Sequence, residues 1–296
     1  MSWTLIFVIL IIALVCVVIT SLISYYLSKW LAKWVKNVKR IDDRKNLSPK
    51  LEEIVRIVRE VSRIYKIKMP EVGVYASQEI NAFATGPAGN TLIAFSTNLV
   101  NTMNLQEIRG VVGHELSHLI HYDIARILLV QGAFDVFYYL FCALLFFALF
   151  WESDEDRRRE EGAGSFIRII FKWILFEIIS AIIRIIGVLI VLWYNRRREL
   201  AADKRGAEIV GIDNMLAALQ KLLELENKAW VVDGIDLTED DNTKSTGEPN
   251  SVSLLKFNPE KKKKGLLDLF RTHPSLEERI EKLEKLRKQR ALPGIV

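Results

Sequence analysis

The chain has 296 residues and a formal net charge of +5, and half of its residues are hydrophobic. That apolar share is high for a soluble protein and predicts several hydrophobic segments in an otherwise charged chain of one or two domains. The basic residues cluster beside those segments, which indicates an anionic membrane surface rather than nucleic acid, and the two cysteines, Cys16 and Cys142, lie inside apolar runs and speak against a disulfide or a Cys-ligated zinc.

Leu5 to Leu27 is an uncharged, mostly apolar run. At 1.5 Å per residue it reaches about 34 Å, enough to cross a bilayer, and it is too long and wrongly flanked for a cleaved signal peptide. Lys29, Lys33, Lys36, Lys39 and Arg40 follow, with Trp30 and Trp34 interleaved. They read as a plain stop-transfer flank that sets this side in the cytoplasm. Ser48-Pro49 with Glu52 and Glu53 predicts a helix start. Leu51, Ile54, Val55, Val58, Val61 and Tyr65 keep helical period, and Met69-Pro70 ends it. From Pro70 to Leu99 the pattern predicts about three strands. Val72 and Val74 alternate in the first, and the runs Asn81 to Thr85 and Leu92 to Phe95 flank Gly86-Pro87-Ala88-Gly89-Asn90. Asn104 with Glu107 predicts a capping box that opens the next helix.

Two further runs, about Ile127 to Trp151 and Phe166 to Tyr194, predict two more spans. A short acidic loop separates them, and Arg196-Arg197-Arg198 follows the second. The order in, out, in satisfies the positive-inside rule at each crossing. Asp135 and Arg184 fall at similar depth in antiparallel helices and are expected to pair, because an isolated charge in hydrocarbon is costly. Beyond lie an amphipathic helix from Ile212 to Leu225, an irregular polar stretch from Val231 to Lys264, and a charged last helix opened by Ser275 and Glu278.

Three of the four histidines fall within eight residues, at His114, His118 and His121. On a helix His114 and His118 share a face, so two imidazoles can converge on one zinc ion. Glu115 is placed as general base toward a zinc-bound water. Apolar neighbours on both sides argue for a half-buried helix rather than two surface histidines. A catalytic zinc needs a third protein ligand and an open position. His121 lies about 10.5 Å along the axis from His114, too far for the three to meet at one ion. Glu199 is the stronger candidate. Glu199 and Asp203 stand at i and i+4 of a predicted helix, small Ala201 and Ala202 allow close approach, and Asp203 can hold the distal nitrogen of a ligand histidine. Composition leaves open the alternative of a solvated acidic face with Arg198 and Lys204 as partners.

Four blocks, in order, resemble the HtpX-type family of membrane zinc peptidases, relatives of the CAAX prenyl endopeptidases. They are Asn81-Ala82-Phe83-Ala84, then His114 to His118 with Asp123 following, then Arg198-Glu199 with Asp203, then Thr272-His273-Pro274 with Arg279. The resemblance covers most of the chain. It implies a gluzincin-like fold, with one Zn2+ per subunit held by His114, His118 and Glu199 and Glu115 as catalytic base. It further implies that Asn81, Ala82, Phe83 and Ala84 form an edge strand that binds substrate backbone. His273 is expected to stabilise the tetrahedral oxyanion, and Arg279 to bind either Asp203 or that intermediate. Bacterial members usually begin with two hydrophobic segments, where this chain shows one.

The expectation is an integral membrane protein, mainly α with a small β-sheet (α+β), with about three transmembrane helices. Residues 1–28 form the anchor, 29–126 and 195–296 the two halves of a cytosolic catalytic domain, and 127–194 a transmembrane helix pair. The expected activity is that of a zinc metalloendopeptidase of the cell membrane. It would cleave misfolded or damaged membrane proteins on the cytoplasmic side by zinc-hydroxide attack on the peptide carbonyl. Its partners are polypeptides and the lipid bilayer; oligomeric state stays open. The competing expectations are a processing peptidase for specific, for example prenylated, peptides and a non-proteolytic membrane adaptor with a relic zinc site.

Overall fold

The computed structural model describes residues 3–151, 163–233 and 273–291. The first apolar run forms α1 (Trp3–Val35). A four-stranded sheet follows, built from β1 (Lys39–Arg40), β2 (Glu71–Tyr75), β3 (Ala82–Thr85) and β4 (Leu92–Ser96) in the order β1-β2-β4-β3. β2 and β4 are parallel, the other pairings antiparallel, and β3 is left at an edge. The three expected strands are present. The fourth, β1, is two residues long and lies in the basic run, where no periodicity could reveal it.

Side chains alternate across the sheet. Val72, Ile93 and Phe95 pack with Ile54 and Val58 of α2 (Pro49–Ile64) and Ile108, Val112 and Leu116 of α4 (Leu105–Ile120), all fully buried. The short α3 (Thr97–Thr102) joins β4 to α4. α2 stops before Met69-Pro70 is reached. Ile67 N donates to Ser62 O and Lys66 N to Arg63 O, with Lys66 left-handed at φ 53°. That cap satisfies the last carbonyls, so the proline has nothing to break.

The other face of the sheet receives the lower end of α1. Lys29, which is buried, and Lys33 reach Glu71 at 2.9 and 3.0 Å. Lys29 Nζ also donates to Asn90 Oδ1 at 2.6 Å, and Ala88 N to Tyr25 Oη at 2.8 Å. The basic run is therefore more than a stop-transfer flank: it fastens the anchor to the sheet and to the β3–β4 turn. Trp30 and Trp34 stack on each other and stay exposed.

Among the described residues, three helices are long and apolar enough to cross a membrane: α1, α5 (Asp123–Phe150) and α6 (Ala163–Val210). At 48 residues, α6 is about 72 Å long, more than twice the hydrocarbon thickness. Its apolar part, 166–194, can span while 195–210 projects beyond, so the third run and the predicted Glu199 helix are one rod. Arg184 does not pair with Asp135. Its Nη2 donates to Tyr138 Oη at 2.7 Å, and the guanidinium stands 5.1 Å over that ring. The depth matched but the face did not: three residues before Tyr138, Asp135 is turned roughly 60° around α5 and stays exposed. α7 (Ile212–Asp233) and α8 (Leu276–Ala291) pack on α6 through Ala207, Met215, Leu219 and Leu283. Ser275 Oγ accepts from Glu278 N at 3.3 Å and caps α8. The acidic loop at 152–162, the polar stretch at 234–264 and Thr272 lie outside the described residues.

Candidate metal centre

α4 begins at a complete capping box. Asn104 Oδ1 accepts from Glu107 N at 3.0 Å, and Glu107 Oε2 from Asn104 N at 2.8 Å. The helix presents His114 and His118 one turn apart and ends at His121, whose Nδ1 faces Ser117 O at 2.9 Å, away from the other two rings' shared point. Tyr122 then adopts a left-handed φ of 54°, which costs a non-glycine residue roughly 1–2 kcal/mol. The kink starts α5 at once and turns Asp123 back toward His118.

α6 can approach α4 because the facing positions lack side chains. A Cβ on Gly113 would stand 2.5 Å from Val210 Cγ2, and one on Gly206 would stand 3.1 Å from His114 N. Ala202 is fully buried, as a small residue in a close approach should be. The glycine pair, which sequence reasoning passes over, is the tighter constraint.

His114, His118 and Glu199 meet where these helices cross. His118 Nε2 lies 3.2 Å from His114 Nε2. Glu199 Oε2 is 3.4 Å from His114 Nε2, and Glu199 Oε1 is 3.7 Å from His118 Nε2. Behind each ring stands a buried carboxylate: His114 Nδ1 is 2.9 Å from Asp203 Oδ1, and His118 Nδ1 is 2.8 Å from Asp123 Oδ2. An ionised carboxylate only accepts, so each Nδ1 carries the proton and each Nε2 presents a lone pair. Two lone pairs and a carboxylate thus converge on one point. A tetrahedral ion with bonds of roughly 2.0–2.1 Å holds its ligand atoms about 3.3 Å apart, so the three separations fit one zinc-sized cation. Burial lowers the His114 pKa, but hydrogen bonds with Asp203 and Glu199 outweigh it and raise it to about 10.

The supporting groups are as ordered as the ligands. Arg279 grips Asp203, one of its two expected partners, with both arms, Nε to Oδ2 at 2.7 Å and Nη2 to Oδ1 at 2.6 Å. Asp123 has Arg205 at 3.7 Å and Arg126 at 3.9 Å. Glu199 and Asp203 are 5% and 2% exposed, which rules out a solvated acidic face. Arg198 does touch Glu199 Oε1, at 3.1 Å, while Lys204 is exposed. His273 is at the mouth: its Nδ1 is 3.6 Å from Glu199 Oε2 and its side chain is 63% exposed. Glu115 is half-buried, and among the described residues its carboxylate has no hydrogen bond or ion pair. The family resemblance counts Asp123 among its matching residues without giving it a role, and five residues after His118 it is off the helix face. Only the kink at Tyr122 brings it round.

β3 lies beside α4. The ladder alternates between residues bonded inward and residues facing outward. Asn81 is turned inward: its N–H donates to Ser96 Oγ at 3.1 Å and its C=O accepts from Ser96 N at 2.9 Å. Tyr75 Oη also donates to that carbonyl, at 3.4 Å. Burial, helped by the charges of Glu79 and Glu115, pushes the Tyr75 hydroxyl up to about 12, so it stays a donor. Phe83, two residues on, turns inward as well. The N–H and C=O of Ala82 and Ala84 therefore face the open edge. Of the four residues expected to bind substrate backbone, Asn81 and Phe83 have their backbone groups turned into the ladder, and Ala82 and Ala84 are left to offer theirs.

A His-His-Glu cluster, a glutamate left without a partner among the described residues and a free strand edge, all on a helical scaffold with three candidate membrane spans, are the parts of a metallopeptidase. Residues 48–287 match Peptidase family M48, and the chain belongs to that family of metal-dependent metalloendopeptidases. It is 34% identical to Protease HtpX homolog of Methylacidiphilum infernorum (isolate V4) over 236 residues, 79% of this chain and 71% of that one. It is likewise 34% identical over 238 residues to Protease HtpX of Stutzerimonas stutzeri (strain A1501), covering 78% and 72%. The crystal structure of S. mikatae Ste24p shares the fold, with a TM-score of 0.59 at 16% sequence identity over 93% of this chain; this chain spans 58% of that one.

Proposed function

We propose that this chain is a zinc-dependent endopeptidase that cleaves misfolded or damaged membrane proteins at the cytoplasmic face of the membrane. One observation carries the reading: His114 Nε2, His118 Nε2 and Glu199 converge at 3.2–3.7 Å, with both histidines oriented from behind by Asp203 and Asp123. These three residues would hold the ion. When bound, zinc supplies a Lewis acid that polarises the scissile carbonyl and brings the pKa of a water to about 7. Ala82 and Ala84 hold the substrate extended by backbone hydrogen bonds. Glu115 takes the proton of the attacking water and returns it to the leaving amine. His273 donates an N–H toward the developing oxyanion. The Arg279–Asp203 pair keeps His114 in its tautomer and orientation.

The basic residues after α1 and at Arg196 to Arg198 support a cytoplasmic site. The names of the HtpX relatives support polypeptide hydrolysis. Membrane-protein substrates are supported by the position of the site, since Asp123 opens α5 and Glu199 follows the apolar part of α6. The test is casein cleavage by the purified, zinc-loaded chain. Chelation, or Glu115→Gln with zinc retained, is expected to reduce the rate by about 10²- to 10⁴-fold. Equal rates for Glu115→Gln and the unaltered chain would falsify the peptidase mechanism. Single-site cleavage of prenylated peptides, with casein untouched, would favour a processing role.

A further inference from the structure

The spans carry polar groups that the fold leaves open. On α5, Gln131, Asp135 and Tyr139 follow at i, i+4 and i+8 along one face, and all three are exposed. On α6, Glu177 and Arg184 are exposed. Asn195 stands 18 residues (195 − 177) after Glu177, about five turns on, so these three lie along one line of the helix. Asn195 Oδ1 is buried and has no hydrogen-bond partner among the described residues. Among those residues Gln131, Asp135 and Glu177 also make no hydrogen bond or ion pair. Arg184 ties the two lines together through Tyr138, which stacks edge-on with Tyr139. The α6 line ends one turn before Glu199, and the α5 line ends at Gln131, eight residues (131 − 123) after Asp123 opens that helix, so both lines point from the spans toward the metal centre.

A charge facing hydrocarbon is costly, so lipid is the wrong neighbour for these faces. The proposed reaction supplies a better one. A peptide bond presented to an edge strand must be extended, and a transmembrane helix that unwinds in lipid strands its N–H and C=O groups at several kcal/mol each. Carboxylate and amide oxygens accept from stranded N–H groups, and guanidinium, phenol and amide N–H groups donate to stranded C=O groups. The mixed donor and acceptor character suits backbone amides. We propose that these two lines form a track that receives an unwinding transmembrane segment of the substrate and leads it down to the metal centre. The proposal rests on the peptidase reading of the site.

The test uses the full chain in proteoliposomes with two substrates: a single-span reporter whose transmembrane segment contains a Gly-Pro pair, and casein in solution. The double variant Gln131→Leu/Asp135→Leu is expected to cut the reporter at least tenfold more slowly while casein cleavage changes less than twofold. An equal fall for both substrates, or no fall for the reporter, overturns the track. The peptidase reading fails separately, if Glu115→Gln leaves casein cleavage unchanged. A second measurement does not depend on rates. With Cys16 and Cys142 replaced by serine, Asp135→Cys in the Glu115→Gln background is expected to form a disulfide with a cysteine in the reporter's span. A disulfide between two copies of the protease instead overturns the track and assigns this face to a homodimer.

Discussion

Each histidine of the centre has two nitrogens with separate tasks, and the carboxylate behind the ring decides which is which. Asp203 and Asp123 fix the Nδ1 protons, which leaves both Nε2 lone pairs for a cation. Asp123→Asn keeps a hydrogen-bond acceptor but removes the charge. It is expected to weaken zinc binding about 10- to 100-fold, read by chelator competition, with the thermal transition largely retained. Unchanged affinity would mean that the kink at Tyr122 serves packing alone. On the substrate side, an edge strand tolerates proline where its N–H points away from the ladder. Ala84→Pro should therefore fold, keep its zinc and lose about tenfold in kcat/KM on a peptide substrate, the worth of one backbone hydrogen bond. Loss of zinc or of folding in that variant would show that the Ala84 N–H is turned inward after all.

At the scale of elements, the site depends on how closely α4 can be approached. α6 comes in over Gly113 and Gly206, and α7 over Gly110, where an added Cβ would meet Asn214 O and stand 2.6 Å from Ala218 Cβ. α2 holds α4 from the other side. Glu53 accepts from Arg109 Nη2 at 2.6 Å and from Arg56 Nη2 at 2.7 Å. Burial pushes the Glu53 carboxyl up, but these hydrogen bonds outweigh it and bring it below its ordinary value of 4.5. A depressed folded value means that the stabilisation is present at neutral pH. It is lost as pH falls from about 4.5 through the folded value. Arg109 is partly exposed, so the lock is worth only about 1 kcal/mol. Glu53→Gln is accordingly expected to lower Tm by about 2–4 °C at pH 7 and to leave it unchanged near pH 3, measured by thermal melts in detergent.

At the scale of the whole molecule, the chain that connects the two halves of the centre runs through two candidate membrane helices. Glu199 follows His118 by 81 positions (199 − 118), and α5 and α6 lie between them. α1 does more than a candidate span requires, because Lys29 and Lys33 clamp Glu71 and so fix the sheet against the end of that helix. The positive flanks support the proposed cytoplasmic placement of the catalytic face. With Cys16 and Cys142 replaced by serine, Asn101→Cys, at an exposed position, is expected to react with a membrane-impermeant maleimide only after the membrane is opened. Labelling in intact cells would invert the topology.

Much of this was legible in the sequence because it is local. Hydropathy over some twenty residues reveals a span, i,i+4 spacing reveals His114 and His118 on one face, and side-chain chemistry at a helix start reveals the Asn104 cap. Glu199, Asp203 and Arg279 could be nominated from the spacing of Glu199 and Asp203 and the family resemblance, but their burial and pairing could not. The rest belongs to tertiary structure, since it depends on angles between elements that no spacing encodes. The left-handed Tyr122 turns Asp123 onto His118. Two glycines far apart in the chain let α6 reach α4. The azimuth of α5 gives Arg184 to Tyr138 and leaves Asp135 open. The ladder's alternation engages Asn81 inward and frees Ala82 and Ala84. The sequence by itself marked the candidate cation ligands and the segments apolar enough to cross a membrane. The fold decided which nitrogen faces the cation and which backbone amides face the substrate, because each of those is a direction in space set by how separate helices and strands cross.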